Sequence, residues 1–576
     1  MLSRDEWIAV DLIWTMEIEY AGSTYRFSTI PIDLDQDGDY YPFTGGLEDL
    51  SIETSMERVG DISAESNSVS IAVIFPNRNI SKDVMAGKIL ENSQVKLGFV
   101  LSRNGEITTN YDDIAVIFKG RVSSPVYGHP EEPLGYVEFS VDNPALISEQ
   151  GLLASIIGEN MYVEDISCSN ALYVNPEWPQ DQGLTEVQDI HRGKTIPWVF
   201  GDLAALRRSN NTSISIPISP CYAIAYDPSA GHKPVFYVIA GHETNASTVK
   251  AFSNTGEEED GRPVSMFINI DGRALSYIDL SSGSTIPQSV APNDDRQVWI
   301  EFDDGDPFPN PLGGDDGLRG GGDICLWLLQ QITTDIDYDA WNALRPYLNQ
   351  YQFAGYVNDP KITIIQWLHK NIIAYLPISV VNGGNGLKPV LDMFVTEIST
   401  GERLNIITGP EWFRMTPVST QTNPEEITNN VMVRYGKNGV TDTYSVFVQC
   451  GHTIPAGGTL SSQSYLASPK SLLSVQRYGV KSRVVELDYV YSMETAQRIA
   501  LDIIERDSIP IRTITYSVSP RYGYLMIGDI VTLSDEDIGL VDTRTQILSK
   551  IWSNNRWEIT LRLDDNPLRY ERNVET

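Results

Sequence analysis

Cysteine is scarce in this 576-residue chain: Cys168, Cys221, Cys325 and Cys450 are all there are, far apart and without a CxxC. That spacing gives neither a zinc site nor a dense disulfide framework. Histidine is nearly as rare. The six, His129, His191, His232, His242, His369 and His452, form no HExxH, and His242-Glu243 lacks a second histidine four residues on. Positive charge is also short, with 42 Lys and Arg against 77 Asp and Glu, a net −35. A surface this acidic repels phosphate backbones and anionic lipid, which argues against a nucleic-acid binder or a peripheral membrane protein. No run of 18 apolar residues occurs, and Asp5, Glu6 and Asp11 interrupt the segment a signal peptide would need. The expectation is a chain made and kept in a reducing cytoplasm. GxSxG, the P-loop and the dinucleotide fingerprint are missing too, which removes the common hydrolase and nucleotide-binding signatures.

What is present is an ordinary globular composition, 41% hydrophobic and 21% charged, long enough for roughly three to five domains. Residues 1–150 read as almost wholly β. Trp14–Tyr20 and Thr24–Ile30 form a hairpin around Ala21-Gly22-Ser23, and strand-like runs follow at 48–54, 68–75, 94–101, 114–122 and 135–141. Many short strands at close spacing imply a closed or nearly closed barrel. Residues 151 to about 320 carry further strands at 222–226, 234–240, 248–252, 264–270 and 298–302, and the Gly, Asp and Pro tract at 303–322 is the best domain boundary. From Asp323 the period becomes helical. A buried helix carries Ile324, Leu326, Leu328, Leu329 and Ile332. A second, 339–348, meets Pro346 near its end, and a third covers 362–373. A hairpin, 377–381 and 389–395, then turns at Gly383-Gly384-Asn385-Gly386.

Candidate chemistry is thin. Asp33, Asp35, Asp37 and Gly38 mimic an EF-hand loop, but Thr44 stands where a bidentate Glu is required, so the reading is an acidic turn between strands. Asp303, Asp304, Asp306, Asp315 and Asp316 read as solvated loops. Cys450 and His452 lack a third group and read as ordinary structural residues. Paired carboxylates for glycoside cleavage are defined by spatial separation, which a sequence does not give. No catalytic, cofactor-binding or metal residue is assigned, and no cofactor is expected.

The stretch Arg477–Asp564 organises the rest. Ser492 is placed to N-cap a helix whose Ala496, Ile499, Ala500, Ile503 and Ile504 draw one apolar stripe. Strands follow at 511–518, 530–533, 547–552 and 557–563, with reversals at Gly528-Asp529 and Asn554-Asn555. Those strands are the expected burying surface for the stripe. In the last of them Trp557, Ile559, Leu561 and Leu563 alternate with Glu558, Thr560 and Arg562, the period of a half-buried strand.

Taken in order, Arg477-Tyr-Gly479, Ala496, Ala500, Ile514 to Pro520 and Gly528-Asp529-Ile530-Val531 resemble the C-terminal part of phage tail hub proteins, the family of lambda-type tail tip proteins and contractile-tail baseplate hubs. Three further pieces resemble it: Lys194-Thr-Ile-Pro-Trp-Val-Phe-Gly201, the helices with Gly355-Tyr-Val357, and Asn429-Asn-Val-Met-Val-Arg-Tyr-Gly436. Phe118-Lys-Gly-Arg-Val122 with Tyr136–Val141 looks like the tail-tube motif in which one strand pairs with a later edge strand. The resemblance implies a β-dominated α+β, multidomain fold with two tail-tube-like β-barrels flanking a mixed α/β region. Its division is 1–150, N-terminal barrel; 151–322, β-rich middle domain; 323–436, mixed α/β hub domain; 437–576, C-terminal barrel with one packed helix. It further implies a non-enzymatic structural virion protein at the tail tip, assembled in the host cytoplasm. Such a hub is a homotrimer that closes the tube, adapts sixfold to threefold symmetry and opens for DNA ejection. Implied partners are a distal tail or tail tube protein, the C-terminus of the tape measure protein and a central fibre or spike. DNA is met only in transit and no membrane is stably bound. Two alternatives stand beside it, a tail-associated peptidoglycan-degrading enzyme and a carbohydrate-binding tail adhesin.

Overall fold

The hairpin at Ala21-Gly22-Ser23 forms because Ala21 and Gly22 both take left-handed backbone, φ 50° and 76°, turning β1 (Val10–Tyr20) into β2 (Ser23–Ser28) across two residues. The structure is a computed structural model and describes residues 10–56, 68–76, 78–103, 105–128, 131–142, 151–157, 193–206, 216, 218–227, 233–244, 249–252, 258–259, 265–270, 273–279, 298–302, 307–314, 317–395, 403–406, 413–416, 419–420, 426–452, 463–553 and 556–564. The acidic turn at Asp37-Gly38 joins Ile32–Gln36 to β3 (Asp39–Gly45), a strand hairpin as expected. β4 (Leu47–Ser55), β5 (Ser68–Ile74), β6 (Gln94–Arg103), β7 (Ala115–Tyr127) and β8 (Tyr136–Asp142) complete this end.

The ladder runs β2, β1, β6, β7, β8, β5, β4, all antiparallel. β8 is flanked on both sides, so it is an interior strand and not the edge strand of the expected motif. β2 also meets β3 in parallel, but only through Phe27–Thr44 and Ser28–Gly45. What results is a half-barrel. The bend at Gly46, whose φ of 133° suits glycine alone, sends β4 away from β3 and toward a strand from the far end of the chain.

Between the ends lies a second core, running from Leu152 to Ile504. A seven-stranded sheet built from 219–302 feeds it, in the order 258–259, 249–252, 298–302, 219–227, 233–240, 273–279, 265–270. α1 (Gly321–Gln330) is buried along nearly its whole length. α2 (Tyr338–Leu348) is capped by Asp337, and a Thr363–Gln366 capping box opens α3 (Ile364–Asn371). A hairpin, Ile378–Gly383 with Gly386–Leu391, follows.

β9 (Asn430–Asn438) and β10 (Thr443–Gly451) precede α4 (Pro469–Tyr478) and α5 (Met493–Asp507). Ser492 caps α5 through the Thr495 amide, as its position predicts. The apolar stripe also forms, yet it does not bury against the strands that follow. Ala496, Ile499, Ala500, Ile503 and Ile504 pack on β9 and β10 instead. The later strands, β11 (Arg512–Val518), β12 (Ile530–Asp535), β13 (Leu540–Ser553) and β14 (Arg556–Leu563), turn their apolar face to the N-terminal strands. Their expected reversal at Asn554-Asn555 lies outside the described residues, as do His129, His191, His232, Cys168 and the aspartates 303–306 and 315–316.

β13 explains why the two ends are not separate barrels. One edge pairs with β14; the other pairs first with β12 and then, at Ser549–Trp552, with Ser55–Ile52 of β4. A single 17-stranded sheet with one shared core results. The fold is β-dominated with several sheets, as the sequence implies, but among the described residues a half-barrel forms and no closed barrel is seen at either end. Among the described residues no helix is long and apolar enough to cross a membrane.

Candidate functional site

Among the described residues no group of three His, Cys, Asp or Glu is placed to hold a metal ion. Cys450 is buried and burial pushes its thiol up to about 12, so it stays protonated. His242 is fully enclosed and works structurally. Its Nε2 accepts from the Val199 amide at 3.2 Å and its Nδ1 lies 2.7 Å from the Glu243 carbonyl, which fixes a neutral ring with the proton on Nδ1. Burial holds its pKa down at about 4.

What the fold does bring together are the two chain ends. Trp14 of β1 meets Phe99, Trp552 and Trp557 edge-on, at centroid distances of 5.5, 5.2 and 5.8 Å. Lys550, on the same face of β13 as Trp552, donates to the carbonyls of Gly523 and Leu525 and lies 3.8 Å from the centre of the Trp557 ring. Burial pushes that ammonium down to about 7, against the pull of the Asp529 carboxylate. The sequence reading missed this site. A signal existed: period two puts Lys550 in register with Trp552, so a charge on the apolar face was legible.

The Ile378–Leu391 hairpin rides across the seam as a clasp. At its tip Gly384 abuts β7, where an added Cβ would fall 1.8 Å from the Val116 carbonyl oxygen, and Asn382 donates to the Lys119 carbonyl at 3.0 Å. At its base Gln546 donates to the Leu391 carbonyl, Arg544 to the Met393 carbonyl, and Arg562 pairs with Asp392 at 3.4 Å. Both members of that pair are almost fully buried. Arg562 was expected on a solvated face; the base of the clasp covers it. Gly528, φ 83°, packs under Val390, and Asp529 accepts from the Met526 amide, which forms the expected reversal.

The motif segments also converge. Trp198-Val-Phe200 pairs antiparallel with Gly355-Tyr-Val357, which is why both segments end or start on glycine: a Cβ on Gly201 would sit 2.1 Å from the Phe353 carbonyl oxygen. Gly479 ends α4 with φ 71°, and Asn429 holds that cap by donating to the Gly479 carbonyl and accepting from the Lys481 amide. The Asn429 and Arg477-Tyr-Gly pieces are therefore two halves of one contact.

Beside these segments opens a cleft of about 250 Å³. Tyr356, Tyr489, Tyr491 and Trp367 line it from within, and Asn358, Asp359, Lys370, Lys437, Asp442 and Asp488 line it with polar groups. Gly355 admits Tyr489, whose ring packs on Trp367 and Phe200. Lys437 bridges Asp442 at 2.9 Å and Asp488 at 3.2 Å, and Tyr444 donates to Asp488 at 2.6 Å. Burial works against the Lys437 ammonium, but the two carboxylates outweigh it and its pKa is raised.

Residues 461–549 match a family described as "Putative phage tail protein". The match supports a phage tail protein, and it overlaps the Arg477–Asp564 stretch. No curated protein matches the chain. Among solved structures, the tail protein from Neisseria meningitidis MC58 aligns at 9% identity and TM-score 0.32, covering 96% of this chain and 97% of that one. The 43 kDa tail protein of prophage MuSo2 from Shewanella oneidensis aligns at 9% identity and TM-score 0.30, covering 95% and 96%. A chain of the virion of the native gene transfer agent particle aligns at 11% identity and TM-score 0.39, covering 66% and 87%.

Proposed function

We infer that this protein is a structural component of a phage tail, the hub at the distal end, working as a homotrimer and catalysing no reaction. The observation that carries the reading is the family match over 461–549, on the same stretch whose ordered residues resemble tail hubs. The seam adds a physical rationale. Each chain fuses two curved sheet regions edge to edge, so three chains would offer six wall segments to a hexameric tube even though no segment is a closed barrel by itself. The division at 1–150, 151–322, 323–436 and 437–576 belongs to the same proposal, with the two terminal units acting as one wall. A net charge of −35 suits a lumen through which DNA slides without sticking. In this role the hub closes the tube, adapts sixfold to threefold symmetry, contacts a distal tail or tube protein, the tape measure end and a central fibre or spike, and opens for DNA ejection. Interfaces of such permanence bury more than about 2,000 Å². Native mass measurement with electron-microscopic imaging of the purified particle tests it. A mass of three chains and a threefold ring with a central hole are expected; a monomer in intact virions, or antibody labelling anywhere but the tail tip, sinks the reading.

A further inference from the structure

The geometry points to the cleft between Tyr356, Tyr489 and Lys370 as a binding site for a single ring of a neutral saccharide, an activity beyond tail architecture. Three features select that chemistry. Tyrosine and tryptophan rings line the interior, and Tyr356 and Tyr489 are only partly covered, so the cleft offers aromatic surface against which the C–H face of a sugar would pack. Amide, carboxylate and ammonium groups converge around those rings: Asn358, Asp359 and Lys370 from α3 and the loop before it, Asp442 and Asp488 from the opposite wall. Donors and acceptors mixed at this density suit vicinal hydroxyls, each of which both gives and takes a hydrogen bond.

Charge selects against anionic ligands. Lys437 is committed to Asp442 and Asp488, which leaves Lys370 as the other cation of the lining in a chain of net −35, so an acidic polymer meets overall repulsion. Size sets the other limit. Drug-sized ligands fill about 300 to 1,000 Å³, and about 250 Å³ is room for one pyranose with its neighbours in solvent. The cleft is also held in shape without a ligand, because Gly439 abuts Trp299 and the Ile218 carbonyl, Tyr491 donates to the Lys437 carbonyl at 3.1 Å, and Tyr489 is stacked on core rings.

The test uses the full chain with maltotriose, lactose and chitotriose as probes, read by saturation-transfer NMR and tyrosine and tryptophan fluorescence. At least one probe is expected to bind with a Kd on the order of 1 mM, a net gain of about 4 kcal/mol. Asp359→Ala and Lys370→Ala change exposed side chains, leave the rings in place, and are each expected to weaken binding about tenfold while the thermal midpoint stays put. No binding of any probe at tens of millimolar, about ten times that Kd, overturns the inference. So does binding that both variants leave unchanged, or binding confined to an acidic glycan such as polygalacturonate.

Discussion

Replacing Trp14 by Ala tests whether the chain ends fold as one unit. Trp14 is 3% exposed and stands edge-on to three aromatic rings, two of them from residues more than 500 positions later. Emptying such a site costs about 3 to 5 kcal/mol, of which each ring pair accounts for about 0.5 to 1.5. If β4 and β13 share one cooperative unit, that loss appears at both ends, and amide exchange through local opening rises by roughly two to nearly four powers of ten. Hydrogen exchange read by mass spectrometry on peptides covering Ser549–Trp552 reports it, with α1 in the other core as the control that holds its rate. Trp552→Leu alone and combined with Trp14→Ala closes a double-mutant cycle, and a coupling of about 1 kcal/mol is expected. Wild-type exchange rates in β13 alongside faster exchange in β1 would refute a shared core.

Three further outcomes follow from the same geometry. His242 has a folded pKa of about 4 against 6.5, so the unfolded chain binds the extra proton between those values; stability is whole above pH 6.5 and falls by about 3 kcal/mol toward pH 4. His242→Gln, which keeps an acceptor for the Val199 amide, is expected to flatten that part of a urea-denaturation profile. Lys550 is depressed to about 7 from 10.5, so stability climbs by up to about 5 kcal/mol as pH rises from 7 to 10.5 and is lost on the way back down. Lys550→Met removes that slope, and its persistence in the variant would assign it elsewhere. Gly384→Ala cannot fit against the Val116 carbonyl, so the clasp is expected to lift at a cost of about 1 to 3 kcal/mol, seen as faster exchange at Ala115–Phe118.

Local features were legible and their partners were not. The α5 stripe and its Ser492 cap follow from spacing within 15 residues, and the Trp557 to Leu563 alternation from period two. What each face buries depends on loop closures that no window of sequence contains: α5 meets strands upstream, and β13 meets a strand 496 residues away. The half-barrel seen among the described residues has the same origin, since β4 leaves β3 at Gly46 and pairs with β13. The paired motifs were each visible, but the contact by which Asn429 caps the helix ending at Gly479 spans about 50 residues and leaves no local signal.

The hairpin at the seam has a mechanical implication. Its tip meets β7 through Gly384, which has no side chain to yield, and its base is tied through a desolvated ion pair. A push on either flank therefore travels to the other without slack, and a partner gripping that one short loop would hold a lever over the whole wall.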